Sequence, residues 1–278
     1  MLNSTFQHLN GIGPVKEARW WAAGVRTWED LARQPRITAH TAAGPAESSS
    51  RLEAGDAGYF ADALPSPERW RVYPDFAPGA VFLDIETTGL SPAGSHVTVA
   101  GVLTSAGYHA YVRGDDLDEL PGALEGCKLV VTFNGAAFDL PFLRSEFGAG
   151  LLAGAAHVDL RHVMRRAGYS GGLKRIERMT GTGRPSVLAN LGGADAVTLW
   201  RMAEDGEPGA LPTLVRYNAE DVASLPRLAA LAVRKLAAGT PLEAAPAPSF
   251  PEYDCSSLKF DRSLVDYLAQ RRAYRLAE

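Results

Sequence analysis

Apolar and polar positions follow two different rhythms along the chain. The first 34 residues carry a helical one. In FQHLNGIGPVKEARWWAAGVRTWEDLARQ, Ala18, Trp21, Ala22 and Val25 fall on one stripe of a helix. Gly11-Ile12-Gly13-Pro14 forms the preceding turn, with Pro14 placed to open that helix. Gly24 stops it, and Thr27 caps a second helix with Asp30 three residues on. Residues 35–56 are rich in Ala, Ser and Gly and weakly patterned, so they read as a linker that turns helical toward 57–63. ERWRVYPDF at 68–76 supplies aromatic surface that packs on whatever follows.

From residue 79 the rhythm changes. GAVFLDIE is a strand, and SHVTVAGVLTS and GYHAYVRG form a hairpin turning near Gly107. DDLDELPGALEG reads as helical despite Pro121, KLVVTFN as a buried strand, AAFDLPFLRSEFG as a helix and HVDL as a short strand. Helical patterns then run from Arg161 to Ala238. Strands followed by strand–helix alternation predict an α/β fold, a mixed sheet flanked by helices. The expected divisions are 1–34, a small N-terminal helical unit; 35–76, linker and packing segment; 77–240, the main domain; and 241–278, a Pro-rich spacer and an amphipathic tail helix.

Composition narrows this picture. With 278 residues and a 46% hydrophobic share, the chain can bury a substantial core. Its formal charge of −4 means that any nucleic-acid binding rests on local patches. Cys127 and Cys255 are far apart and outside metal-ligand spacing, which fits free thiols in a reducing compartment. The start MLNSTFQHLN lacks the basic-then-apolar signature of a signal peptide, and no run approaches the roughly 20 apolar residues of a membrane span. A cytoplasmic location is expected.

The strand FLDIETTGL places Asp84 and Glu86 on one face and Ile85 on the other. Paired carboxylates repel unless a positive group sits between them, and Mg²⁺ or Mn²⁺ prefers such oxygens. A solvated strand end capping the next turn is the alternative for this pair alone. NGAAFDLPFL adds Asp139, a third ligand or simply a helix N-cap, and Asn134, a substrate contact or an Asn-Gly turn. In YNAED, Tyr217 and Asp221 share a helix face, where a plain Tyr–Asp hydrogen bond is the alternative.

DIETTG, NGAAFD and Y-x-x-x-D, in that order, resemble the three motifs of the DEDD superfamily of 3′–5′ exonucleases, which have a ribonuclease H-like fold. Tyr217 matches the DEDDy branch. HVDL and GGLKRIERMTG resemble family segments between the second and third motifs. The GIGP turn and the W-R-x-Y-P stretch resemble bacterial ribonuclease-H-like proteins of the YprB type, over roughly residues 5–236.

The resemblance implies a ribonuclease H-like exonuclease domain that binds two divalent cations, Mg²⁺ or Mn²⁺, about 3.5–4 Å apart. Asp84 bridges both, Glu86 and Asp221 complete one site, and Asp139 serves the other. Tyr217 orients the attacking water rather than acting as base, since a phenol titrates near ~10. Thr87, Thr88 and Gly89 approach the terminal nucleotide, and Asn134 positions backbone or substrate. The expected activity is hydrolysis of single-stranded DNA or RNA from the 3′ end. An endonuclease or branched-DNA nuclease with the same metals, and a non-catalytic nucleic-acid-binding protein, are the alternatives.

Arg161, Arg165, Arg166, Lys174, Arg175, Arg178 and Arg184 stand against one acid, Glu177, in residues 160–184. They read as a phosphate-tracking wall, with Lys174 and Arg175 at the substrate, or as a solvated helix face. The N-terminal unit resembles a helix-hairpin-helix module, whose turn amides, here of Gly11, Ile12 and Gly13, donate to nucleic-acid phosphates; a packing module with Trp20 or Trp21 buried is the alternative.

Overall fold

In the computed structural model, which describes residues 1–35, 39–183, 188–245 and 250–277, helices cover both faces of a five-stranded mixed sheet. Arg184 of the basic block, 36–38 of the expected linker and 246–249 of the Pro-rich spacer lie outside those residues.

Among the described residues, five α-helices precede the sheet: α1 (Pro14–Ala22), α2 (Trp28–Ala32), α3 (Ala39–Glu53), α4 (Ala57–Ala63) and α5 (Tyr73–Phe76). Pro14 opens α1, and Thr27 caps α2 through reciprocal bonds with Asp30, both as the sequence predicts. The apolar stripe expected on α1 is not its inner face. Ala18 and Ala22 are exposed, and the buried residue is Glu17. Its carboxylate accepts from the Phe6 amide at 2.7 Å and from Arg71 Nη1 at 2.8 Å, and Arg71 Nε donates to Glu68 at 2.6 Å. Paired and hydrogen-bonded, these charges tolerate burial that an isolated charge would not. Trp20 and Trp21 are half-buried beside them.

The expected linker is largely α3. Alanine costs a helix nothing, and small side chains let α3 approach the N-terminal core closely. A Cβ on Gly44 would lie 2.6 Å from Leu9 Cδ2, and Ser48 Oγ bonds His8 Nε2 at 2.8 Å.

The strands are β1 (Ala80–Thr87), β2 (Val97–Thr104), β3 (Gly107–Val112), β4 (Leu129–Thr132) and β5 (Ala156–Asp159), in the order β3-β2-β1-β4-β5. β1 pairs antiparallel with β2 and parallel with β4. The remaining helices are α6 (Leu120–Ala123), α7 (Asp139–Phe147), α8 (Leu160–Arg166), α9 (Leu173–Thr180), α10 (Gly193–Glu204), α11 (Ala210–Ala237) and α12 (Arg262–Ala277). Alternation along β1 divides the core. Val81, Leu83 and Ile85 pack with Leu120 and Phe142, whereas Phe82 joins α8, α11 and the N-terminal segments, including Trp70 and Tyr73. Asp84 and Glu86 share the parity of Phe82 and therefore face α11.

Candidate active site

One ligand oxygen from each of Asp84, Glu86 and Asp221 lies within 4.8 Å of the other two. β1 delivers the first two from its carboxyl end, where its register against β2 slips between Glu86 and Thr87. Such irregularities re-aim side chains at functional edges. α11 delivers Asp221 one turn after Tyr217. Burial and repulsion from Asp221 and Asp139 push the Glu86 carboxyl well above the usual carboxylate range, with Lys174 and Asn218 opposing. This excess of buried negative charge, presented by hard oxygen donors, fits a divalent cation.

Asp139 is buried and stands apart from that triad. It is the first residue of α7 and does not cap the helix, whose N-cap is Phe138. Its carboxylate instead accepts from the Ile85 amide on β1 at 3.0 Å. Burial pushes its pKa up to about 7, against backbone bonds from its own amide and Ile85, with Asp159 and Asp221 adding repulsion.

Asp84, Tyr217 and Asp221 line a cavity of about 780 Å³, whose other walls carry Lys174, Arg175, Arg178 and Arg272. Lys174 Nζ lies 4.5 Å from the centre of the Tyr217 ring. Arg272, on α12, donates to Asn190 O at 3.0 Å. The basic block expected as one wall therefore divides. Arg166 is spent on Glu68 and Pro67 O, and Arg161 donates to Asn134 Oδ1 at 2.6 Å.

Several expected substrate contacts do not line this cavity. Thr87 Oγ1 donates to Gly89 O at 2.6 Å, and Thr88 Oγ1 accepts from the His96 amide at 3.1 Å, so both hydroxyls fasten the turn after β1. Asn134 has a left-handed backbone (φ 71°) and its amide donates to Asp159 Oδ1 at 2.8 Å. Asp159 also takes the amides of Ala136 and Arg161, which makes it the organiser of this loop. Ile12 is buried and its amide donates to Leu9 O, so that amide is not available to a phosphate; Gly11 and Gly13 are exposed.

Three residues that the sequence reading passed over belong to the site. Asp159 shapes the loop before Asp139. Arg272 reaches the cavity from the far end of the chain, with no motif to announce it. Asn218 donates to both Asp84 O and Asp84 Oδ2. Its signal was its position three residues before Asp221, on the same helix face.

The chain matches the model of the RNase_H superfamily over residues 81–233. No curated protein matches it. Among solved structures it is similar to a family B DNA polymerase from the hyperthermophilic archaeon Pyrobaculum calidifontis, at 23% identity and a TM-score of 0.44. That likeness covers 61% of this chain and 27% of the polymerase, so the chain spans about a quarter of the polymerase's length. It is also similar to a structure described as the apo form of a nuclease, at 17% identity and a TM-score of 0.42, over 72% of this chain and 85% of the other. Both likenesses are too distant to bear on activity. The superfamily match takes in more than half of the residues, running from β1 to the last turns of α11 and enclosing all three acids of the triad: the chain belongs to the RNase_H superfamily.

Proposed function

We propose that the protein is a metal-dependent 3′–5′ exonuclease of the DEDDy type, acting on single-stranded nucleic acid. The observation that carries this reading is the acid triad at a cavity whose other walls carry four cationic side chains. Asp84, Glu86 and Asp221 would hold one divalent cation, and Asp84 with Asp139 a second. Bound there, Mg²⁺ or Mn²⁺ supplies charge neutralisation at the phosphate and acidifies water.

The protein's own groups supply the rest. Arg175, Arg178 and Arg272 bind backbone phosphates and draw the strand in, an attraction that extended single strands accept without regard to sequence. Lys174, beside Tyr217, offsets the negative charge of Glu86 and of the incoming phosphate. Tyr217 retains its proton and orients the attacking water. Hydrolysis adds the water oxygen to the terminal phosphorus, breaks the bond to the preceding 3′ oxygen and leaves a proton on that oxygen, releasing a nucleoside 5′-monophosphate. Thr87, Thr88, Gly89 and Asn134 act on the substrate indirectly, by shaping the turns around the acids. The N-terminal unit, which resembles a helix-hairpin-helix, contributes a weaker phosphate contact through the turn amides of Gly11 and Gly13. The likeness to YprB-type proteins agrees with this organisation.

Digestion of 5′-labelled single-stranded DNA and RNA with Mn²⁺ tests the proposal. The expected result is a ladder shortening from the 3′ end, stopped by chelator, with a circular single strand left intact. Cutting of the circle would identify an endonuclease, and inertness on every substrate a binding protein.

A further inference from the structure

Asn218 is completely buried, next to an assembly of acids, and each of its polar atoms is spoken for. Its Nδ2 lies 3.1 Å from Asp84 O and 3.0 Å from Asp84 Oδ2. Its Oδ1 accepts from the Tyr108 hydroxyl at 2.8 Å. The orientation of the amide follows from chemistry. Both Asp84 oxygens are acceptors only, so the NH₂ must face them, and the carbonyl oxygen then needs a donor, which Tyr108 provides.

The sheet makes room for this contact. Gly101 is the register partner of Asp84 across the β1–β2 ladder. A Cβ there would lie 1.7 Å from Asn218 Oδ1 and 3.0 Å from Tyr108 Cε2. Any residue other than glycine at 101 would expel the Asn218 side chain from its seat. Four elements thus meet at one carboxylate: β1 carries Asp84, β2 leaves the gap, α11 fills it and β3 supplies the Tyr108 brace.

We infer that Asn218, seated by Gly101 and braced by Tyr108, is a positioning residue that fixes the Asp84 carboxylate for a divalent cation. An amide donating to one carboxylate oxygen locks the rotamer in which the carboxylate is presented to a metal. The inference rests on the metal-dependent reading above, and it assigns to this chain a supporting group that the acid motifs do not contain.

Calorimetric titration of the metal-free, full-length protein with Mn²⁺ tests it, with thermal unfolding run in parallel. Asn218→Ala is expected to bind Mn²⁺ about 10–100-fold more weakly, the usual cost of losing an outer partner. Gly101→Ala is expected to reproduce that loss, although it touches no acid. Tyr108→Phe is expected to lose several-fold in affinity while keeping its melting temperature within a few degrees. Asn218→Leu, similar in size but unable to donate, should bind no better than Asn218→Ala. Melting temperatures that fall while Mn²⁺ affinity stays at the wild-type value would overturn the inference, because Asn218 would then be a structural residue alone. Should Asn218→Ala not fold, Tyr108→Phe decides: unchanged affinity overturns the proposal. A wild type that binds no Mn²⁺ sinks the metal-dependent reading itself, whereas a wild type that binds alongside unaffected variants sinks this inference alone.

Discussion

Asp139 keeps its proton in the fold up to about pH 7, against an ordinary value of 3.8, because its carboxyl is buried. Between those values the folded state holds a proton that the unfolded state has released, so this residue's contribution to stability falls as pH rises. Glu86 acts with the same sign. His8 and His157 oppose them: burial holds both near 4 instead of 6.5, so their contributions are lost as pH falls through that interval. Above about 6.5 the acids act unopposed. A comparison of Asp139→Asn with wild type isolates the contribution of this residue. In chelator, calorimetry should show the variant gaining on wild type between pH 4 and 7, at about 1.4 kcal/mol per pH unit. A constant difference would show that Asp139 is not held protonated. Asp84 and Glu86 were legible in the sequence because carboxylates within an apolar strand are costly without a purpose, and Asp139 and Asp221 because their motifs follow in order. For Asn218 only its helix face was legible; its role depends on a glycine that becomes its neighbour through the folded backbone.

At the level of elements, Arg71 fastens the segments before β1 to one another. It pairs with Glu17 of α1 and with Glu68, and its guanidinium also lies 5.7 Å from the centre of the Trp21 ring. Arg71→Ala would leave the buried Glu17 carboxylate without its cation and Glu68 with Arg166 alone, and removing one partner of a buried pair costs about 3–5 kcal/mol. Urea unfolding should show that loss as a lower midpoint; a change below about 1 kcal/mol would mean that water reaches the cluster. The sheet was readable because short apolar runs bounded by glycine and turn residues mark strands covered on both faces. α3 was not, because Ala, Ser and Gly describe a linker and a small-residue helix equally well. Its contacts with Leu9 and His8 decide between them. The inner face of α1 was misread for a related reason: a charged residue becomes a core residue when a distant partner comes to meet it.

Across the whole molecule, a chain of formal charge −4 concentrates four cationic side chains around one acidic pocket. The contributors are scattered: Asp84 and Glu86 on β1, Lys174, Arg175 and Arg178 on α9, Tyr217 and Asp221 on α11, and Arg272 on α12. Short motifs disclosed the acids and the tyrosine, whereas the tail helix gave no sign in its sequence that it would complete the cavity. α12 docks there because Val265 and Leu268 bury themselves in the cluster that also holds Leu199, Leu214 and Tyr217. What unites these parts is the proposed seat for divalent metal, built by residues far apart in sequence. Anomalous diffraction from crystals soaked in Mn²⁺ tests that most directly. The account predicts a peak bound by the carboxylates of Asp84, Glu86 and Asp221, abolished by Asp84→Asn; soaked crystals of the wild-type protein with no peak among those three groups would contradict it.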